Sequence, residues 1–304
     1  MTRDDELMTL DSGALEACAP DFAALDREYH GALQTALRRN VRTALEEDVG
    51  SGDLTGRLLG DVQRQARVIV REDAVLCGAP WFSAVMHAVD PAIRLTWHFR
   101  DGERMAAGET VCELHGPVRA LLTAERNALN FLQLLSGVAS ATRRYVDAIR
   151  GARTRILDTR KTLPGLRLAQ KYAVRVGGGA NQRLALYDGI LIKENHIAAA
   201  GGIGAALARA AEVSGAAPVQ IEVETLEQLD EALAHGARAI LLDNFTLAAM
   251  RDAVARTDAR AVLEVSGGVD LQSVAAIAET GVDRVSIGAL TKDVKATDYS
   301  MRLV

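Results

Sequence analysis

The sequence predicts an α/β protein whose second half is a closed or nearly closed barrel of parallel strands. From Arg150 onward, strand-like and helix-like segments alternate without interruption, and every strand-like segment ends in a polar or glycine-rich group. Composition agrees. At 304 residues, 49% hydrophobic and 25% charged, the chain can bury a full core, and with aromatics at only 4% the abundant Ala, Gly and Val suit helices laid on a parallel sheet.

The first fifteen or so residues read as frayed. A helix over Asp26–Glu47 follows, stopped by the turn-rich Asp48-Val49-Gly50-Ser51-Gly52-Asp53. Strand-like runs come next at Arg67–Arg71, Ile93–Phe99 and Thr110–Leu114. Beyond Pro117 a long helix runs to about Ile149, apolar almost all round, as a buried helix is. One stripe breaks that pattern: Arg126, Asn130, Gln133 and Gly137, spaced i, i+4, i+7 and i+11. A guanidinium in apolar surroundings needs an anion, which either a ligand or an acid such as Glu125 could supply.

In the second half, strands end near Asp158, Lys193, Glu224, Asp243, Ser266 and Ile287. Helices lie over Leu163–Val176, Ile203–Val213, Leu226–His235, Leu247–Ala255 and Leu271–Glu279. Right-handed crossovers of this length make a parallel sheet. A doubly wound sheet is the alternative, but no G-x-G-x-x-G opens a helix.

Several function classes fall away. Cys18, Cys77 and Cys112 are sparse and lack metal or redox spacing, the start is acidic where a signal peptide is basic, and no run of about 18 apolar residues occurs. The expectation is a cytoplasmic protein with no membrane partner. The net charge of −5 conceals an asymmetry: Arg150–Lys193 holds ten basic residues against Asp158 and Asp188, so this segment is +8 and the remainder −13. Such a local field suits a small polyanion; nucleic acid is the rival, but no binding motif accompanies the cluster.

The strand ends carry the chemistry. In order they are Asp158-Thr159-Arg160-Lys161, Lys193-Glu194-Asn195-His196, Glu222-Val223-Glu224, Asp243-Asn244, Ser266-Gly267-Gly268 and Ser286-Ile287-Gly288. Alternation puts Glu222 and Glu224 on the face opposite Ile221 and Val223, inside the barrel, where carboxylates need cations from Lys161, Lys193 or a divalent metal. Asp243 can join Glu222, and carboxylates without His or Cys favour Mg²⁺ or Mn²⁺ over zinc, shared with substrate phosphates. The two late glycine-bearing ends, Ser266-Gly267-Gly268 and Ser286-Ile287-Gly288, are placed to hold a phosphate through backbone N–H groups. No nucleophile elbow occurs.

At this point the sequence resembles the quinolinate phosphoribosyltransferases, the carboxylating nicotinate-nucleotide pyrophosphorylases. The segments that carry the likeness are Glu125–Asn130, Leu157–Arg167, Gly177–Arg183, Leu191–His196, Leu241–Phe245, Glu264–Gly268 and Gly288–Thr291. The resemblance implies an N-terminal α/β sandwich over 1–134, an incomplete α/β barrel over 135–289, and a tail 290–304 that returns to the first domain. It also implies a reaction with Mg²⁺: quinolinate and phosphoribosyl pyrophosphate give nicotinate mononucleotide, pyrophosphate and CO₂, a step of de novo NAD biosynthesis. The assembly it implies is a homodimer with shared active sites, or a higher assembly of such dimers.

Carried over by residue, the resemblance places Arg126 of the partner subunit, Arg160 and Arg183 at the quinolinate carboxylates. Thr159 and Gln182 join them in substrate binding. Lys161 and Lys193 face pyrophosphate and ribose, Glu222 and Asp243 serve Mg²⁺ or the ribose hydroxyls, and Ser266, Gly267, Gly268, Ser286, Ile287 and Gly288 hold the 5′-phosphate. Lys161, Lys193, Glu222 and Asp243 form the catalytic set. Gln182 stands where the family usually has His, and a neutral amide there predicts retained activity with weaker quinolinate binding. The rivals are a related phosphoribosyltransferase with another acceptor, a Schiff-base lyase using Lys193, and a non-catalytic anion-binding homologue.

Overall fold

The structure is a computed structural model that describes residues 17–60 and 62–304, so the expected fraying of the first fifteen lies outside the described residues. The chain forms two compact units. Of the described residues, the first comprises those up to 141 with 163–178 and 293–304; the second comprises 142–162 and 179–292.

In the first unit, α1 (Phe22–Glu28) and α2 (Ala32–Asp48) replace the single expected helix. His30 (φ 53°) and Gly31 (φ 81°) are both left-handed, and the Gly31 N–H donates to the Asp26 carbonyl at 2.8 Å, which ends α1. Apolar spacing ran through the break and concealed it. Along α2, Leu33, Ala36, Leu37, Asn40 and Val41 are buried at helical spacing.

Next come β1 (Gln63–Val70), β2 (Ala74–Val75), α3 (Ala79–Val89), β3 (Arg94–Trp97), β4 (Arg104–Met105), β5 (Thr110–Pro117) and α4 (Val118–Ala148). Helix α3 was not foreseen. Its N-terminal N–H groups are capped by Asp101, which accepts from Gly78 and Ala79 at 3.1 and 3.2 Å. Helix α4 matches its expected span, but its polar stripe is not buried throughout: Arg126 and Asn130 are exposed. Gly137 has another purpose. A Cβ there would run into the Lys295 carbonyl, so glycine lets the chain at 295–296 cross the helix, where the Thr297 N–H donates to the Gln133 carbonyl at 3.0 Å. The chain then ends in β12 (Tyr299–Leu303), which pairs antiparallel with β1 in a sheet ordered β12-β1-β5-β3.

Helix α5 (Arg167–Val176) also packs into this unit, whereas the expected boundaries put it in the barrel. Tyr172 is the reason: its ring packs against Phe22 and Trp81 with centroids 5.5 Å away, and its hydroxyl donates to Asp101 at 2.7 Å. Gly177 and Gly178 end the helix.

The second unit is the parallel α/β part. Its strands are β6 (Arg155–Leu157), β7 (Ile190–Ile192), β8 (Val219–Val223), β9 (Ala239–Asp243), β10 (Val262–Ser266) and β11 (Arg284–Ser286), all six foreseen. The spatial order is β6-β11-β10-β9-β8-β7, with every pair parallel. Successive strands are neighbours except β6 and β7, and the last strand lies beside the first. This is the circular order of a barrel left open at one seam. Beside β6 the chain at Ala180 fills part of that seam with a single parallel bridge to Leu157. Between the strands run α6 (Glu194–Ala200), α7 (Ile203–Ser214), α8 (Leu226–Ala234), α9 (Leu247–Thr257) and α10 (Val274–Ala278), with α11 (Ala289–Lys292) after β11. Thr225 and Thr246 cap α8 and α9 through their hydroxyls. Among the described residues no helix is long and apolar enough to cross a membrane.

Candidate active site

The carboxyl ends of the barrel strands gather all but one of the residues singled out. The exception is Arg126, which lies in the other unit, exposed on α4.

Strand β6 ends at Leu157, and the fully buried Asp158 follows. Its Oδ2 accepts from Asn181 Nδ2 at 2.5 Å and its Oδ1 from the Gln182 N–H at 2.9 Å. Asp158 therefore clamps the 181–183 segment onto the start of the Thr159-Arg160-Lys161 turn. Thr159 Oγ1 accepts from the Lys161 N–H at 3.0 Å, and the Lys161 carbonyl accepts from Thr291 Oγ1 at 2.7 Å. Lys161 itself is exposed.

Arg160 and Arg183 are close enough for their charges to act on one another. Burial first, and then the charge of Arg160, holds the Arg183 guanidinium below its ordinary pKa, with Asp188 opposing. Arg183 Nη1 donates to the Gly189 carbonyl at 2.7 Å, and Arg160 Nε is buried with no hydrogen-bond partner. Two neighbouring guanidiniums with spare donors suit an anion with more than one carboxylate. Asp188 braces the intervening loop, accepting from the Leu184 and Ala185 N–H groups at 2.6 and 2.7 Å.

Lys193 follows β7. Its Nζ donates to Glu222 at 2.8 and 3.2 Å, and its backbone N–H donates to His196 Nδ1 at 3.0 Å, so that histidine serves as a helix-end cap. Glu222 is mostly buried, as alternation requires. Glu224 is not beside it: β8 stops at Val223, and Glu224 is exposed with its N–H donating to Gln228. The expectation of two interior glutamates fails because the strand ends one residue too soon.

Pairing register aligns the rest. Glu222 lies beside Leu241, so Asp243, two residues further along β9, faces the same way; Asp243 in turn lies beside Ser266. Asn244 (φ 56°) turns left-handed after β9 and donates from Nδ2 to Asp243 at 2.9 Å. Gly267 (φ 100°) admits no side chain, since a Cβ would strike the Asn244 amide. At the next strand end Ser286 and Ile287 are buried, and a Cβ on Gly288 would come within 3.1 Å of Lys161 Cδ. Glycine thus leaves the lysine its room.

Sequence pattern names Asp158 without giving it a role and leaves Asp188, Gln220 and Glu264 outside the candidate site. A signal for the last two was present. Each stands two positions before a chosen residue, Glu222 and Ser266, and is therefore a polar group at interior parity in an otherwise apolar strand. Gln220 is buried and Glu264 fully so; burial raises the Glu264 pKa, opposed first by Gln220.

Donor chemistry bears on a metal. Among the described residues no three His, Cys, Asp or Glu side chains group to hold an ion, so a full protein cage is absent. Glu222 and Asp243 on neighbouring strands fit a Mg²⁺ that takes its remaining ligands from phosphates and water.

Known proteins place this arrangement. The family model described as "Quinolinate phosphoribosyl transferase, N-terminal domain" matches residues 53–136, and "Quinolinate phosphoribosyl transferase, C-terminal domain" matches 138–302. The chain is 43% identical over 257 residues to the probable nicotinate-nucleotide pyrophosphorylase [carboxylating] of Bacillus subtilis, covering 84% of this chain and 89% of that protein. It is also 43% identical over 277 residues to the nicotinate-nucleotide pyrophosphorylase [carboxylating] of Mycobacterium leprae, covering 88% and 97%. The solved nicotinate-nucleotide pyrophosphorylase of Francisella tularensis superposes with a TM-score of 0.87 at 45% identity, covering 89% of this chain and 96% of that one. Across both of its domains, the chain belongs to the quinolinate phosphoribosyl transferase family.

Proposed function

We propose that this protein transfers the phosphoribosyl group of phosphoribosyl pyrophosphate to quinolinate, with loss of CO₂, and is a pentosyltransferase of NAD biosynthesis. The observation that carries the reading is the neighbouring pair Arg160 and Arg183 at the mouth of a family barrel whose other strand ends bear Lys193–Glu222, Asp243 and two glycine turns. A dicarboxylate answers two guanidiniums better than a monocarboxylate does, which sets quinolinate above nicotinate as acceptor.

Arg160 and Arg183 hold the quinolinate carboxylates and fix the ring so that its nitrogen faces the ribose C1. Lys161 and Lys193 lie against the pyrophosphate and stabilise the charge that gathers on it as the C1–O bond breaks. Glu222 and Asp243 take the ribose hydroxyls and would hold Mg²⁺. When bound, the ion neutralises part of the pyrophosphate charge. Backbone N–H groups at Ser266–Gly268 and Ser286–Gly288 hold the 5′-phosphate. The ring nitrogen attacks C1, and its positive charge then draws the electron pair left at C2 as CO₂ departs; C2 takes up a proton. The chain's own tasks are alignment, charge stabilisation and exclusion of water.

The reading includes a homodimer in which Arg126 of the partner subunit completes the quinolinate site, and a cytoplasmic location. The exposure of Arg126 supports the first, and three buried cysteines outside any disulfide, Cys18, Cys77 and Cys112, are compatible with the second. Purified protein with quinolinate, phosphoribosyl pyrophosphate and Mg²⁺ should release CO₂ and nicotinate mononucleotide in equal amounts. Folded protein yielding neither would overturn the reading in favour of another acceptor or a silent homologue. Sedimentation of wild type and Arg126→Ala, alone and mixed with an Arg160→Ala variant, tests the shared site: a mixed dimer regains activity that neither variant has.

A further inference from the structure

Three polar side chains inside the barrel form a line from its buried interior to the loop that carries Arg183. Glu264, on β10, is 0% exposed. Its Oε2 accepts from Gln220 Nε2 at 3.0 Å; Gln220 Oε1 accepts from Gln182 Nε2 at 2.6 Å; Gln182 Oε1 accepts from the Arg183 backbone N–H at 2.7 Å. Strand register leaves Gln220 and Glu264 no other face to occupy, since Ile221, Leu263 and Val265 take the outward positions.

The line has a direction fixed at its Arg183 end. A backbone N–H can only donate, so Gln182 must turn its oxygen toward Arg183 and its amide nitrogen toward Gln220. That nitrogen needs an acceptor, so Gln220 turns its oxygen toward Gln182 and its own nitrogen toward Glu264 Oε2. Flipping either amide alone would leave a donor facing a donor, or an acceptor facing an acceptor.

We infer that Gln220 and Glu264 are positioning residues that act through Gln182 on Arg183, fixing the acceptor-binding arginine, and that Gln182 serves chiefly as a link in this line. The inference rests on the quinolinate reading above. It gives the Gln182 substitution a second meaning: the amide has its oxygen on Arg183 and one hydrogen on Gln220, so it is engaged in orienting the arginine as well as lying near the substrate. Arg183 is then held at two points, its N–H by Gln182 and its guanidinium by the Gly189 carbonyl at 2.7 Å, while Asp158 anchors the preceding Gln182 N–H at 2.9 Å.

Steady-state kinetics on wild type, Gln220→Met and Glu264→Gln test it. Methionine keeps the volume and removes both hydrogen bonds. The expected result is a roughly tenfold rise in the quinolinate KM, with kcat and the phosphoribosyl pyrophosphate KM within about twofold, the size of effect one buried hydrogen bond carries. Glu264→Gln retains an acceptor for Gln220 and should keep the quinolinate KM within about twofold of wild type. A Gln220→Met enzyme with an unchanged quinolinate KM, or with both KM values raised alike, overturns the inference; so does Glu264→Gln costing as much as Gln220→Met. If Gln220→Met does not fold, Gln220→Asn, one methylene too short to reach both partners, replaces it with the same expectations. A wild type that turns over no quinolinate overturns the functional reading, and the inference falls with it; a working wild type with indifferent variants overturns the inference alone.

Discussion

Lys193 Nζ lies 2.8 Å from Oε2 and 3.2 Å from Oε1 of Glu222, a carboxylate whose side chain is only 10% exposed at the carboxyl end of β8. The pair joins two neighbouring strands at the mouth of the barrel, and its lysine remains open to solvent on one side. Glu222→Gln keeps the shape and removes the charge. Turnover at saturating substrates should fall by about 100-fold, in the range of losing one preorganised electrostatic group. The melting temperature should hardly change, since the lysine is half in water. A comparable loss of melting temperature would assign the pair to stability.

Arg183→Lys tests the guanidinium chemistry. Lysine keeps the charge and loses the planar fork, so the quinolinate KM should rise at least about tenfold with the phosphoribosyl pyrophosphate KM little changed. Equal values for both enzymes would remove Arg183 from the acceptor site.

Asp101 gives the first unit a pH dependence. Burial pushes its pKa up to about 6 from 3.8, with the Tyr172 hydroxyl and the Gly78 and Ala79 N–H groups opposing. The fold therefore favours the protonated acid. Its contribution to stability is fullest below about pH 4, declines as the pH climbs through about 6, and is level above that. The melting temperature of wild type minus that of Asp101→Asn should fall between pH 4 and pH 6.5, groups common to both proteins cancelling. A flat difference would contradict the assignment.

Gly137→Ala should loosen the chain at 293–304, because the added Cβ runs into the Lys295 carbonyl. Overpacking of this kind costs about 1–3 kcal/mol, read as a melting temperature lowered by a few degrees. Faster proteolysis within Asp293–Asp298 should accompany it. An unchanged melt and digestion pattern would show that the crossing tolerates a side chain.

Much of the second unit was legible because period-2 and period-3.6 patterns alternated cleanly and each strand announced its end with a polar group. Six strand ends were read to within about one residue, Asp243 and Ser266 among them. Glu224 was misplaced since alternation gives facing and says nothing about where a ladder stops. In the first unit, α3 was hidden by its own burial: Ala79–Met86 is buried on every side, with Ser83 its one polar residue, and offers no polar face. The partners of Asp101 and Glu264 lie far along the chain, at Tyr172 and Gln220, and no local pattern pairs residues at that separation. Arg126 was read as needing an anion because its helix neighbours are apolar, yet its own side chain faces outward.

Strand β12 bears on the order in which the protein can assemble during synthesis. It fills the place beside β1, yet it is translated after every strand of the barrel. Until it arrives, β1 has β5 on one side and an unpaired ladder of N–H and C=O groups on the other, open to pairing with other chains. Every strand of the parallel sheet is made before β12, so the sheet begun first is the one finished last. A chain halted after Lys292 would hold all six parallel strands and an adhesive edge on β1.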